Sequence, residues 1–264
     1  MLTLLALEGI ALSFGGVRAL SGVDVRVDEG SITSIIGPNG AGKSSLLNVI
    51  SGLYRPQAGE IVFAGRRYRY MPVEQLAALG IARTFQNLAL FRGLSALENV
   101  MMGCLPAAHA TFIEHMLGLP RAQREERSAR ERAGTVMEML DLTAIASARV
   151  GTLPYGLQKR VELARALVAN PRLLLLDEPM AGMSADEKRE MCGFVLDARD
   201  VLGTTVVLIE HDLGVVMELS DRIAVLDYGR KIADGPPEFI REDQAVIDAY
   251  LGAESADLET VTAQ

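Results

Sequence analysis

Gly37-Pro-Asn-Gly-Ala-Gly-Lys-Ser44 is the segment of this chain best equipped for chemistry. Glycines at 37, 40 and 42 let the backbone turn tightly, so that successive N–H groups can converge on an anion. Lys43 adds a point charge, and the Ser44 hydroxyl is a hard oxygen ligand. The spacing is that of a P-loop, in which the lysine reaches the β- and γ-phosphates of a nucleotide and the serine ligates Mg²⁺. Glycine-rich turns are common, so context decides. Here a charge-free run, Ser31–Ile36, precedes the loop and a helical stretch, Lys43–Ile50, follows it.

A second group is Leu173-Leu-Leu-Leu-Asp177-Glu178-Pro179. The leucines read as a buried strand that delivers Asp177 to the carboxyl edge of a sheet, where open α/β sheets bind their ligands. Asp177 is placed to hold Mg²⁺ and Glu178 to act as general base on the attacking water. The alternative role for adjacent acids after a strand is to cap the next helix. A third group is Ile209-Glu210-His211-Asp212, also after an apolar run; His211 is placed to reach the γ-phosphate and to orient water and Glu178. His109 and His115 have no partners at ligand spacing and are assigned nothing.

Positioning these groups requires a particular set of elements. Ser31–Ile36, Glu60–Phe63, Leu173–Asp177, Thr204–Ile209 and Arg222–Leu226 read as strands, three of them buried on both faces, as in a parallel sheet covered by helices. Leu5–Phe14 with Val23–Val27, and the runs flanking Tyr228-Gly229-Arg230, read as antiparallel pairs. Between Leu88 and Gly151 the strand pattern stops, and a helix is expected over Arg121–Leu140. Its interleaved arginines and glutamates suit a solvated helix with weak ion pairs better than a docking face. The expected fold is therefore α/β, with a mixed sheet, an N-terminal antiparallel β part and an inserted helical subdomain. The expected organisation is one domain over 1–252: a core at 1–87 and 152–235, a helical subdomain at 88–151 and a C-terminal helix at 236–252. A frayed tail at 253–264 follows.

Composition narrows the function. With 264 residues and a formal net charge of -8, the chain lacks the broad basic face that nucleic acid or anionic lipid would need. Cys104 and Cys192 form no CxxC pair, so neither a disulfide framework nor a zinc site is indicated. No apolar run is long enough to span a bilayer, and Met1–Gly16 has no basic region or cleavage site. A membrane role would need other chains.

Taken together, the order of these motifs resembles the nucleotide-binding subunit of ABC transporters over Leu4 to about Gly252. The resemblance implies that Gly37, Pro38, Asn39, Gly40, Ala41, Gly42, Lys43, Ser44 and Ser45 bind ATP, with Phe14 stacking on adenine and Val17 beside it. It implies that Gln86, in Arg83-Thr-Phe-Gln-Asn87, senses γ-phosphate and Mg²⁺, so that Ser44, Gln86 and Asp177 form the metal set. Leu153–Arg160 stands where the family signature precedes a helix, expected at Arg160–Ala169, and brings Tyr155 and Gly156 to a nucleotide held by a second subunit. Glu178, His211 and Gln86 are the implied catalytic residues. Ile81–Phe91, Leu208–Gly229 and Val246–Gly252 are similar to the branched-chain amino acid importer type, in which Tyr replaces the first signature glycine, as Tyr155 does here. That type implies permease partners, a homo- or heterodimer of ATP-binding subunits, an external binding protein acting indirectly, and a peripheral place on the cytoplasmic face of the cell membrane.

Two departures stand out. Pro154 replaces the signature serine, removing a hydroxyl donor, although proline suits the first turn of a helix. Met183-Ser184 stands where the D-loop usually ends in Leu-Asp, so Ser184 can bond across a dimer interface but carries no charge. Three alternatives accompany the importer reading: a lipopolysaccharide-type exporter ATPase, a soluble ABC ATPase of DNA repair or translation, and a non-hydrolysing regulatory subunit.

Overall fold

The computed structural model describes residues 2–84, 88–107, 116 and 119–250. They form two compact units: the first comprises Met1–Glu74, Leu175–Glu178 and Thr205–Gln264, the second Gln75–Leu174 and Pro179–Thr204.

In the first unit, β1 (Thr3–Phe14) and β2 (Val17–Asp28) pair antiparallel through Gly15-Gly16, both at positive φ. In β2, Val23, Val25 and Val27 turn inward while Asp24 and Arg26 face solvent, the period-two alternation of a one-sided sheet. Antiparallel β4 (Ala58–Phe63) and β5 (Arg66–Tyr68) complete the order β2-β1-β4-β5. A second sheet contains β3 (Ile32–Ile36), β7 (Leu173–Asp177) and β8 (Thr205–Ile209), every residue of which is buried. β3 pairs in parallel with β8 and with β9 (Arg222–Asp227), and β10 (Arg230–Gly235) returns antiparallel along β9. The order in this unit is β10-β9-β3-β8-β7. The charge-poor runs are thus the doubly covered parallel strands, because only they can bury both faces.

Helix α1 (Lys43–Ile50) leaves the loop after β3 and buries Leu46, Leu47, Val49 and Ile50. Helix α6 (Leu213–Leu219) starts at Asp212, whose carboxylate accepts from Gly214 and Val215 N–H. Ile36, Val216, Ile223, Val225, Ala233, Ile240 and Val246 form one buried cluster. The C-terminal part is helical in two pieces, α7 (Pro237–Glu242) and 244–250. The break lies at Asp243, whose carboxylate accepts from Ala245 and Val246 N–H and so starts the second piece as a cap does.

The second unit is mainly helical. Helix α2 (Ala96–Met101) carries a capping box, Ser95 with Glu98. Helix α3 (Pro120–Met139) buries Ala122, Ala133, Val136 and Met137 and exposes its charges, with weak pairs Arg121–Glu125 and Arg130–Glu126 at 3.6 Å. Helix α4 (Tyr155–Leu167) starts five residues before the expected Arg160, a correction explained by Pro154. At φ -53° and ψ 152° this proline serves as the N-cap, and nothing in Tyr155-Gly-Leu-Gln-Lys interrupts the helix after it. Helix α5 (Ala185–Asp200) has a second capping box, Ser184 with Glu187, and Arg160 of α4 pairs with its Glu190. This unit also holds the short strand β6 (Ile81–Arg83), just before which the Gly80 carbonyl accepts from Leu173 N–H at 3.0 Å.

Candidate functional site

The loop from Gly37 to Ser44 has the shape that its glycines demand. Gly37 has φ 147°, and a Cβ there would stand 2.0 Å from the Leu226 carbonyl oxygen of β9. Gly42 has φ 104°, and its Cβ would lie 2.7 Å from the Ala19 carbonyl oxygen. Neither position has room for a side chain. Ala41 N–H donates to the Pro38 carbonyl at 3.2 Å, and Gly229 N–H donates to the Ala41 carbonyl at 2.9 Å, so the β9–β10 turn braces the loop. Gly42 is the N-cap of α1 and supplies no side-chain cap. The first-turn N–H groups are therefore left to an external acceptor, with the positive end of the helix behind them. Pro38, Asn39, Gly40, Ser44 and Ser45 are exposed or half-buried around this turn, and Ala41 is buried.

Lys43 is only 8% exposed, and its Nζ donates to the carbonyls of Gly37 at 2.7 Å and Pro38 at 2.9 Å. Burial pushes its pKa below the ordinary lysine value, while the charges of Glu178 and then Asp177 push it back up. The lysine at the loop rim thus feels both acids at the end of β7, which lies two strands from β3 in the same sheet. Asp177 is buried. Glu178 follows in left-handed backbone, φ 49°, with its N–H donating to the Ile209 carbonyl at 2.9 Å. A non-glycine residue held there is mildly strained and is found preferentially at functional sites. The helix-capping alternative for these acids falls away, because Ser184 caps α5.

His211 follows β8 with its side chain 61% exposed. Its N–H donates to Glu210 Oε2 at 3.3 Å, and its Nδ1 lies 3.8 Å from the same oxygen. Glu210 is 1% exposed, a buried acid that anchors the histidine and whose part was not evident from sequence. Phe14 ends β1 with about half of its surface exposed, and Val17 opens β2 more exposed still. Gln86 lies outside the described residues, as do His109, His115 and the tail from 253.

Tyr155 and Gly156 belong to the second unit, in the first turn of α4. A Cβ on Gly156 would meet Glu187 Oε1 at 2.2 Å. The φ there is not positive, so a side chain at this position meets no backbone strain but would have to push the Glu187 carboxylate aside. Ser184, read from the sequence as able to bond across an interface, accepts from Glu187 N–H at 3.3 Å through its hydroxyl and caps α5.

The donor set suits nucleotide with a hard divalent ion: backbone amides and a lysine for phosphate, with the exposed Ser44 hydroxyl and the Asp177 carboxylate as oxygen ligands. Such a loop between a buried parallel strand and a helix, with acids at the end of another strand of the same sheet, defines a P-loop nucleotide-binding α/β protein.

Comparison with known proteins narrows this class. The ABC transporter family matches residues 20–181, and the family described as branched-chain amino acid ATP-binding cassette transporter matches residues 230–256. The chain is 40% identical over 249 residues to the high-affinity branched-chain amino acid transport ATP-binding protein BraF of Pseudomonas aeruginosa, covering 94% of this chain and 98% of that one. Identity to LivG of Escherichia coli K12, which bears the same description, is 38% with the same coverage. Among solved structures, the ADP conformation of an ATP-binding cassette superposes with a TM-score of 0.83 at 32% identity, covering 96% of this chain and all of the other. A nucleotide-free cassette gives 0.81 at 31%, covering 94% and 99%. The chain belongs to the ATP-binding subunits of ABC transporters, in the branched-chain amino acid group. Members of this family are ATPases coupled to transport. Among the described residues no helix is long and apolar enough to cross a membrane.

Proposed function

We propose that this chain binds Mg·ATP on residues 37–45 and hydrolyses it to energise an importer of branched-chain or related amino acids or amides. The observation that carries the reading is the electrostatic link from Lys43 to Glu178 and Asp177 at the end of the buried sheet. Lys43 and the first-turn amides of α1 hold the β- and γ-phosphates. Mg²⁺, held by Ser44, Asp177 and Gln86, would neutralise charge building on the phosphate oxygens. Glu178 accepts a proton from water as its oxygen bonds to the γ-phosphorus and the bond to the bridging oxygen breaks, giving ADP and phosphate. His211, steadied by Glu210, orients that water. Phe14 and Val17 receive the adenine.

A second ATP-binding subunit supplies Tyr155 and Gly156 to the nucleotide, since Pro154 leaves the first-turn amides of α4 in place. We assign 88–151 as the helical subdomain. The second unit also contains a groove of about 330 Å³ lined by Gly80, Phe91, Met102, Arg165 and Ala169, which suits a cytoplasmic segment of a permease. Through permeases the chain would sit on the cytoplasmic face of the membrane, and the external binding protein would act without touching it. No nucleic acid is required. BraF and LivG favour this reading over lipopolysaccharide export and over non-transport ATPases.

The test is Glu178→Gln in the assembled transporter. Turnover is expected to fall by about 100-fold or more, with ATP binding retained. Unchanged turnover would reject Glu178 as the base.

A further inference from the structure

Outside the groups already given roles, one construction in the first unit points at the same site. Two side chains from the segment between α1 and β4 grip the end of β1, where Phe14 sits. The Gln57 carboxamide makes two hydrogen bonds to one residue: its Oε1 accepts from Ser13 N–H at 2.9 Å and its Nε2 donates to the Ser13 carbonyl at 3.0 Å. In effect the side chain pairs with Ser13 as a neighbouring strand would, at a point where the β1–β4 ladder has ended at Ala11–Ala58. The Gln57 N–H also donates to the Ala11 carbonyl at 2.9 Å. One residue beyond Ser13, the Phe14 ring meets Tyr54 edge to face, with centroids 5.0 Å apart and planes at 70°.

The gripping segment is itself fixed. Tyr54 N–H donates to the Asn48 carbonyl of α1 at 3.0 Å, Pro56 is buried, and the Arg55 guanidinium lies 4.5 Å from the centre of the Tyr70 ring. A continuous path therefore runs from the phosphate loop through α1 to Tyr54 and Gln57, and from them to Phe14. Without it, Phe14 would be a half-exposed ring beside the two-glycine turn Gly15-Gly16, free to change rotamer.

We infer that Tyr54 and Gln57 are positioning residues that hold the Phe14 ring in register with the phosphate loop, so that adenine and triphosphate are bound by one rigid frame. The inference rests on the reading of Phe14 as the adenine platform. Stacking on a ring already held in place avoids the loss of side-chain freedom that would otherwise weaken binding. The two residues should thus act on base recognition and not on phosphate recognition.

The experiment measures binding of ATP and of inorganic tripolyphosphate, both with Mg²⁺, to the full chain carrying Phe14→Ala, Gln57→Ala, Tyr54→Leu or Tyr54→Phe. Expected is a loss of ATP affinity of about fivefold in Gln57→Ala and in Tyr54→Leu, with tripolyphosphate affinity retained, which also reports that the loop is folded. Tyr54→Phe keeps the ring and should recover the ATP affinity lost in Tyr54→Leu. If Phe14→Ala lowers ATP affinity alone while Gln57→Ala and Tyr54→Leu leave it intact, the positioning role is wrong and the platform stands. Loss of both ligands together in Gln57→Ala and Tyr54→Leu would likewise overturn positioning in favour of a general structural role. If Phe14→Ala leaves ATP affinity unchanged, the platform reading itself fails and takes the inference with it.

Discussion

Lys43 is where burial and function pull against each other. Its ammonium group is almost out of solvent, which lowers its pKa, while the charges of Glu178 and Asp177 act to raise it. With its pKa lowered from the ordinary 10.5, ATP affinity should begin to fall below that pH as the charge is lost. Fold stability moves the opposite way. The unfolded lysine keeps its proton to higher pH than the folded one, so raising the pH through the window between the two pKa values favours the folded state. Lys43→Met should weaken ATP binding on the order of 10–100-fold near neutrality and erase this part of the pH profile. Titrating ATP into both proteins from pH 7 to 10 checks this; parallel profiles would contradict it. At this scale the sequence was most informative where chemistry restricts residue type, as in Gly37 and Gly42, where a Cβ has no room. It was silent on Glu210, Tyr54 and Gln57, because nothing in an isolated glutamate or glutamine says which backbone group it will meet.

Among the elements, strands buried on both faces were the easiest to read. Leu173–Asp177 has the observed bounds, since four leucines in a row have no other soluble use in so short a run. The start of α4 was harder. Proline reads equally as a loop residue or a cap, and only φ and ψ at Pro154 decide. Packing at this helix end yields a prediction of its own. In Gly156→Ala the new methyl displaces the Glu187 carboxylate and breaks its capping box with Ser184, at a cost of about 1 kcal/mol. Glu187→Ala loses the same cap in advance, so the double variant should be less destabilised than the sum of the singles. Denaturant unfolding of the four proteins measures this; additive losses would show that Gly156 and Glu187 do not share the contact.

For the whole molecule, net charge and the lack of long apolar runs already argued against nucleic acid and a bilayer span, leaving nucleotide chemistry as the theme. Family membership adds transport. What everything depends on is the facing of Lys43 and its loop amides towards Asp177 and Glu178. Its most direct test is thermal unfolding of the full chain with ATP, with and without Mg²⁺, beside Lys43→Met and Asp177→Asn. At ATP about 100 times its Kd, the melting temperature should rise by about 5–10 °C. That rise should be largely lost in Lys43→Met, and the part that depends on Mg²⁺ should be lost in Asp177→Asn. No rise in the parent protein, or the same rise in all three, would contradict the arrangement.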